Sequence, residues 1–168
     1  EGFGQTESVL MLGNLVGSTA KIGSLGKPTP LYNIMIADNE GNRLPANEVG
    51  EIVVIPSENQ HGIFMGYCGN EDLYANVWKY GIYHTGDTAY MDDDGYYWYV
   101  GRIDDLIKTR GYRVGPFEIE NVLMEHPAVM ECAVTGIPDK ARGQAIKATI
   151  HLAKAYQQSN VLMLATKP

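Results

Sequence analysis

The chain has 168 residues, of which 45% are hydrophobic and 20% are charged, so it can bury a core in one large or two small domains. Its formal net charge of -7 and its lack of a Lys/Arg cluster argue against a surface that follows the phosphates of DNA or RNA. No apolar run approaches the roughly 20 residues that cross a bilayer, so we expect a soluble protein without a membrane span.

Cysteines and histidines show neither a disulfide nor a metal pattern. Cys68 and Cys132 are far apart and form no C-x-x-C pair, which predicts two packed thiols in a reducing compartment. The four histidines lack the H-E-x-x-H spacing of a zinc site. Residues 1–7, EGFGQTE, contain no start Met and no signal peptide, so we expect a cytoplasmic protein whose true N-terminus is missing.

Residues 22–100 are predicted to form an antiparallel β unit, because short apolar runs alternate there with turn residues. Residues 31–37 alternate as a strand does, and residues 38–42 supply a hairpin loop. Residues 50–55 form a buried strand that Pro56 stops, since proline cannot donate to the ladder.

An acidic run, DDDG at residues 92–95, stands between the apolar segments 88–90 and 96–100. A calcium-binding EF-hand loop would need acidic ligands spaced along the loop and a bidentate Glu at its end. Neither requirement is met, so the run is predicted to be the tip of an aromatic hairpin.

After residue 101 the pattern changes to α+β. Pro116 is predicted to be the first residue of a helix of about ten residues, which His126 and Pro127 end. Within this helix, Ile119, Val122 and Leu123 are predicted to share one apolar face.

Two half-buried strands are predicted after that helix. Met130, Cys132 and Val134 alternate with polar residues, and the alternation returns from Ile146 to Leu152.

The predicted fold class is mixed α/β, with a β-rich, distorted antiparallel barrel followed by a small α+β domain, incomplete at both ends. Residues 1–100 would be the end of a large domain whose barrel covers about 22–100. Residues 101–105, where the composition shifts, would be a hinge, and residues 106–168 would belong to the small domain.

Three segments carry more polar residues than a β scaffold needs: 3–7, 83–87 and 101–113. The first combines an aromatic face, a hydroxyl, a carboxylate and a glycine that permits close approach, a set that could hold a base, a phosphate and a metal. In the second, Asp87 could accept hydrogen bonds from two adjacent ribose hydroxyls. The third gathers cations around a glycine and could neutralise a phosphate.

Each segment also has a structural interpretation. Residues 6–7 could cap a helix, residues 85–87 could be a plain turn, and the basic segment could be a solvated loop and helix start. Residues 23–28 are not a Walker A loop, because Lys21 and Pro28 stand where that motif needs Gly and Ser or Thr.

The order and spacing of five motifs resemble the adenylate-forming superfamily of acyl-CoA synthetases, adenylation domains and beetle luciferases, over residues 1 to about 152. The motifs are GFGQTE at 2–7, GEI at 50–52, Y-x-TGD at 83–87, GR-x-DD-x-IK-x-x-GYRV at 101–114 and EIE at 118–120. Residues 1–7 and 23–28 are most similar to the medium-chain or acetyl-type acyl-CoA synthetases.

The resemblance implies a ligase that uses ATP, Mg²⁺ and CoA. A carboxylate attacks the α-phosphate of ATP to give acyl-AMP and pyrophosphate, and the thiol of CoA then displaces AMP. In the nucleotide site, Phe3 and Gly4 would lie at the adenine, Thr6 would contact phosphate, Glu7 would hold Mg²⁺ and Asp87 would take both ribose hydroxyls.

The resemblance also implies roles for the basic segment. Arg102 would contact the nucleotide near the ribose, Lys108 would bind cofactor, and Arg113 would approach the phosphates during adenylation. Asp104 matches the hinge about which the small domain rotates after adenylation, and Gly111 would line the channel for the thiol.

Departures from the family set two further expectations. Residues Phe3 and Gly4 replace the tryptophan of acetyl-specific enzymes, which favours a longer or branched acid over acetate. We expect the upstream phosphate loop and the segment with the adenylating lysine to lie outside this chain. Lys167 should not be given the role of that lysine. The chain alone is therefore expected to be inactive. An adenylation domain that feeds a carrier protein, or a non-catalytic nucleotide-binding or structural module, remain as alternatives.

Overall fold

Antiparallel strands make up most of the regular structure, as the short apolar runs of the sequence predict. The computed structural model describes residues 1–58, 62–154 and 156. Its contacts divide the chain into two units, Glu1–Asp104 and Asp105–Pro168.

The first unit contains two sheets. A three-stranded sheet in the order β1-β2-β3 is formed by β1 (Gly2–Gly4), β2 (Leu10–Gly13) and β3 (Lys27–Pro28). A five-stranded sheet is formed by β4 (Asn33–Ala37), β5 (Gly50–Ile55), β6 (Trp78–Lys79), β7 (Ile82–Met91) and β8 (Tyr97–Arg102). Its order is β4-β5-β7-β6, and β8 also pairs with the long strand β7, so the sheet forms a half-barrel. The predicted β-rich fold class is confirmed.

Strand β5 lies at the centre of the first unit and is buried on both faces. Ile52 and Val54 belong to the main core cluster, whereas Val53 packs with Met35 and Ile82 on the opposite face. Because both faces are covered, the strand is apolar at consecutive positions instead of alternating. The predicted buried strand is confirmed.

Replacing Ile52 with Ala is expected to lower the free energy of unfolding of the first unit by about 2–4 kcal/mol, because Ile52 is fully buried and truncation leaves a cavity. Urea unfolding followed by tryptophan fluorescence would measure the change, since both tryptophans, Trp78 and Trp98, lie in this unit. Val16→Ala is the control and should change stability by less than about 0.5 kcal/mol, as Val16 is exposed. Equal effects of the two substitutions would contradict this packing.

The acidic run at residues 92–95 is the turn between β7 and β8, as predicted. Asp92 closes the turn by accepting hydrogen bonds from the backbone N–H groups of Asp94 (3.0 Å) and Tyr96 (2.9 Å). Lys21 forms ion pairs with Asp92 and Asp94. The carboxylates therefore serve the hairpin and a neighbouring loop.

A short helix, α1 (Glu71–Val77), precedes β6 and was not predicted. The Asn70 side chain caps it by accepting a hydrogen bond from the N–H of Leu73 at 3.0 Å, and two acidic residues occupy its first turn. This capping signal was present in the sequence.

The second unit is a four-stranded sheet with one helix. Its strands, in the order β10-β9-β12-β11, are β9 (Ile107–Thr109), β10 (Tyr112–Val114), β11 (Val129–Asp139) and β12 (Gly143–Leu152). Helix α2 (Pro116–Met124) begins at the predicted proline and packs on β11. Neither α1 nor α2 has the length and apolar character of a membrane-spanning helix.

Only part of the predicted apolar face of α2 is buried. Val122 is 67% exposed, whereas Ile119 and Leu123 are half-buried together with Glu120. The Glu120 carboxylate accepts a hydrogen bond from the N–H of Val134 at 2.7 Å. This contact turns the Glu120 side of the helix towards the sheet and Val122 away from it.

Burial predictions elsewhere in the chain are also wrong. Met130 is 53% exposed, because the β11–β12 register shifts between Val129 and Glu131 and interrupts the alternation. Ile146 and Ala148 are also exposed on β12, whereas Ile150 and Leu152 are half-buried. Cys68 is exposed instead of packed, whereas Cys132 is half-buried and its thiol donates to the backbone of α2.

Candidate functional site

The first unit contains an open cleft with a volume of about 410 Å³. Its walls come from the turn after β1, from β5, α1, β7 and the end of β8. Most of the residues that line it are charged or polar, among them Gln5, Glu7, Glu51, Tyr67, Lys79, His84, Arg102 and Asp104. Residues of all three polar segments in the sequence therefore line one cleft, since the third segment contributes Arg102, Ile103 and Asp104.

Asp87 lies behind the cleft lining and is 5% exposed. Its Oδ1 accepts a hydrogen bond from the Tyr99 hydroxyl at 3.0 Å. Its Oδ2 accepts from the Gln5 amide at 2.6 Å and from Arg102 Nη1 at 3.4 Å. Burial raises the pKa of the Asp87 carboxyl above its ordinary value, although all three donors favour the ionised form.

Arg102 reaches Asp87 because the two residues are opposite each other in the β7–β8 pairing. Its Nη1 also donates to the carbonyl of Thr85 at 3.2 Å, and its Nε donates to Asp104 Oδ1 at 3.1 Å. The guanidinium crosses Gly86, where an added Cβ would lie 2.9 Å from Nη2 and where φ is +75°. Glycine is therefore required at position 86 both for its backbone conformation and for this close approach.

Gln5 connects the β1 turn to β7 and was predicted only as part of the GFGQTE motif, without a role of its own. Its amide nitrogen donates to the carbonyl of Thr85 at 2.8 Å as well as to Asp87, and its oxygen accepts from the Tyr83 hydroxyl at 2.9 Å. All donors and acceptors of this side chain are thereby directed at β7. Tyr83 was predicted only as a member of the 83–87 segment, without a role of its own, and Tyr99 only as a strand residue.

Glu7 is half-buried at the cleft, and its Oε1 accepts a hydrogen bond from the Tyr67 hydroxyl at 2.9 Å. Burial and the adjacent Glu7 carboxylate raise the pKa of Tyr67, which keeps its hydroxyl protonated as a donor. Within residues 1–58, 62–154 and 156, no three His, Cys, Asp or Glu side chains group to form a complete metal site. A single carboxylate with spare acceptor capacity nevertheless fits Mg²⁺, which is commonly held by one or two carboxylates together with substrate phosphates.

The other predicted residues of the first segment lie near the cleft but not in its lining. Phe3 is half-buried and packs on the main core cluster. Gly4 pairs with Leu10, and an added Cβ would lie 2.9 Å from the carbonyl oxygen of Val9. Thr6 is exposed in the turn between Gln5 and Glu7, so the alternative that this turn caps a helix is wrong.

The predicted residues of the second unit come together on one hairpin instead of a loop, and the side chains of Lys108 and Arg113 are exposed to solvent. Lys108 on β9 and Arg113 on β10 are directly opposite each other. The turn between the strands consists of Arg110 and Gly111, whose φ angles are +49° and +85°. Positive φ at both positions is typical of a type I′ turn, in which Gly111 is the favoured residue.

Comparisons with known proteins agree with these motifs. The family "AMP-binding enzyme" matches residues 1–68, and "AMP-binding enzyme C-terminal domain" matches residues 118–166. The chain is 46% identical over 158 residues to the mitochondrial acyl-coenzyme A synthetase ACSM3 of Rattus norvegicus, covering 94% of this chain and 27% of that protein. It is 48% identical over 161 residues to 4-hydroxybutyrate–CoA ligase 1 of Metallosphaera sedula, covering 95% of this chain and 28% of that protein.

A solved structure is similar as well. The anthranilate CoA ligase AuaEII, in complex with anthranoyl-AMP, matches with a TM-score of 0.83 and 36% identity, over 96% of this chain and 30% of that chain. The chain thus spans less than a third of the length of these relatives and is homologous to acyl-CoA synthetases and CoA ligases. It belongs to the superfamily of AMP-binding enzymes and represents their C-terminal portion.

Proposed function

We propose that this chain is part of an AMP-forming acid–thiol ligase, which activates a carboxylic acid as acyl-AMP and transfers the acyl group to CoA. The observation that supports the proposal most is the arrangement at the cleft, where Gln5, Tyr99 and Arg102 converge on one buried carboxylate, Asp87. A buried carboxylate with fixed neighbours suits two adjacent hydroxyls, as a ribose presents them.

In this proposal the first unit binds the nucleotide. Asp87 takes the ribose hydroxyls, and Arg102, which already contacts Asp87, moves aside or shares it with the ribose. The exposed hydroxyl of Thr6 contacts phosphate, and the free part of the Phe3 ring lies against adenine beside Gly4. In this proposal strand β1 contacts the adenine end of the nucleotide and the turn after it contacts the phosphate end.

Glu7 would hold the Mg²⁺ ion of the reaction. When bound, the ion neutralises charge on the phosphates during transfer of the adenylyl group. Tyr67 orients the Glu7 carboxylate by occupying one of its oxygens, which directs the remaining lone pairs elsewhere.

The second unit would complete the site in turn for each half-reaction. Lys108 and Arg113 supply positive charge for cofactor and phosphates, and Gly111 lines the path of the CoA thiol. Asp104, which pairs with Arg102 at 3.1 Å, is the proposed hinge residue. Both side chains of that pair are exposed, so the pair can break at low cost when the hinge rotates.

ATP–pyrophosphate exchange tests the proposal. It would be measured for the complete protein, meaning this chain joined to the remainder that its relatives contain, over carboxylic acids from acetate to benzoate. We expect exchange with an acid longer or more branched than acetate, and none for the chain alone, which lacks most of the length of its relatives. Absence of exchange by the complete protein with every acid and Mg²⁺ would refute the catalytic proposal and favour a nucleotide-binding or structural module.

Two further measurements would refine the proposal. A CoA-thioester assay separates a CoA ligase, which releases acyl-CoA, from an adenylation domain, which needs a carrier protein. A cytoplasmic location also remains a prediction, and microscopy of the tagged complete protein would test it.

A further inference from the structure

Strand β7 is distorted where it carries Asp87. Glu51 of β5 pairs with Thr88, but Val53 pairs with His84, so residues 85–87 are all opposite Ile52 alone. A bulge of this kind removes the regular ladder partners of the extra residues. Their backbone groups must therefore find hydrogen bonds elsewhere.

Side chains supply those hydrogen bonds. The Thr85 hydroxyl donates to the carbonyl of Ile52 at 2.7 Å and accepts from the N–H of Asp87 at 3.1 Å. The N–H of Gly86 donates to Oε1 of Glu51 at 2.8 Å. Glu51 is thus the acceptor that replaces the missing ladder partner at the centre of the bulge.

The second oxygen of Glu51 holds the other end of the bulge. Its Oε2 lies 2.7 Å from Nδ1 of His84, and the two side chains are only 14% and 11% exposed. An ionised carboxylate can only accept, so Nδ1 carries a proton. Glu51 therefore fixes the tautomer of His84, whose Nε2 is buried without a hydrogen-bond partner among the described residues.

We infer that Glu51 is a positioning residue, which holds the bulged segment 85–87 so that Asp87 meets Gln5 and Arg102 at the cleft. The inference rests on the proposed function, because Asp87 is the proposed ribose ligand. Glu51 acts through the backbone of Gly86 and need not touch the nucleotide. Its loss would weaken ATP binding while leaving binding of the carboxylic acid unchanged.

The test compares Glu51→Ala, Glu51→Gln and the wild type of the complete protein. Glu51→Ala is expected to raise the KM and Kd for ATP about tenfold to 100-fold, because a buried hydrogen bond to a charged group is lost. The KM for the carboxylic acid should stay within about twofold of the wild-type value, because in the proposed site the acid does not contact Asp87. Exchange of the Gly86 amide hydrogen should accelerate at least about tenfold as its acceptor disappears.

Glu51→Gln keeps an oxygen for Gly86 and presents its NH₂ group to His84 Nδ1. It should restore the KM for ATP to within about threefold of the wild type and move the ring proton from Nδ1 to Nε2. Nitrogen-15 NMR of the imidazole distinguishes the two tautomers. Glu48→Ala is the matched control, as Glu48 is exposed nearby, and should change none of these quantities.

An unchanged KM for ATP and unchanged Gly86 exchange in Glu51→Ala would overturn the inference. If Glu51→Ala does not fold, the test is made with Glu51→Gln. An unaltered His84 tautomer in Glu51→Gln would then overturn the inference. Failure of the proposed function is distinguishable, because the wild type would then show no pyrophosphate exchange, whereas the NMR and hydrogen-exchange measurements would still report on Glu51.

Discussion

Replacing Asp87 with Asn in the complete protein is expected to weaken ATP binding about 100-fold. An amide in place of the carboxylate removes the charge to which two ribose hydroxyls would donate, and hydrogen bonds to charged groups contribute about 1.5–3 kcal/mol each. The substitution also places an NH₂ group near the donors Gln5 and Arg102, which now approach Oδ2. Calorimetric titration with ATP would measure the loss.

Asp93→Asn is the control for that prediction. Asp93 is exposed at the hairpin tip, where Asn47 donates to it at 3.2 Å. Its replacement should leave ATP binding within about twofold, as for a surface substitution away from the site. Thermal unfolding of both variants would show that titration is made on folded protein. Equal ATP affinity for Asp87→Asn and the wild type would remove Asp87 from the nucleotide site.

The second large effect is expected for Glu7→Gln, which should lower the rate of pyrophosphate exchange about 100-fold. A bound metal ion supplies several kcal/mol of charge stabilisation in the transition state, and about 2.7 kcal/mol corresponds to 100-fold in rate. Gln retains an oxygen that can accept from Tyr67, so the local structure should persist. The substitution therefore removes the charge and little else.

A titration of the exchange rate with Mg²⁺ would identify the cause of that loss. In Glu7→Gln the concentration of Mg²⁺ that gives half-maximal rate should rise at least about tenfold. Glu40→Gln, at an exposed position of the turn after β4, should behave as the wild type. A slower Glu7→Gln enzyme with an unaltered Mg²⁺ requirement would assign Glu7 a role other than binding the ion.

The contact between Arg102 and Asp87 shows which part of the strand pairing could be predicted from the sequence. The turn at residues 92–95 was predicted, and counting back from it along two regular strands would pair Asp87 with Gly101. In the structure the register shifts between Thr88 and Ala89, which brings Arg102 opposite Asp87 instead. The sequence did not predict that register shift, because the position of a bulge depends on the packing of neighbouring strands.

Other parts of the site depend on contacts between residues distant in sequence. Gln5 and Asp87 are 82 positions apart and meet only after β1 and β7 have packed on one core. Glu51 was predicted as part of a strand motif, and its hydrogen bonds to β7 could not be foreseen without the register. The side chains whose types suit a nucleotide were predictable, whereas the side chains that hold them in place were not.

Helix α2 shows the same limit at the level of burial. Its start at Pro116 follows from local chemistry and was predicted, but its orientation depends on the hydrogen bond from Val134 to Glu120. The periodicity of the sequence therefore predicted the helix but did not predict that Val122 is exposed.

A crystal structure of the complete protein with an acyl-AMP analogue would test whether the cleft beside Asp87 is the nucleotide site of an adenylate-forming ligase. We expect both ribose hydroxyls within about 2.6–3.2 Å of the Asp87 carboxylate oxygens, with Arg102 displaced towards the ribose. A nucleotide bound away from Gln5, Asp87 and Arg102, with the hydrogen bonds of Asp87 unchanged, would show that this cleft is not the nucleotide site.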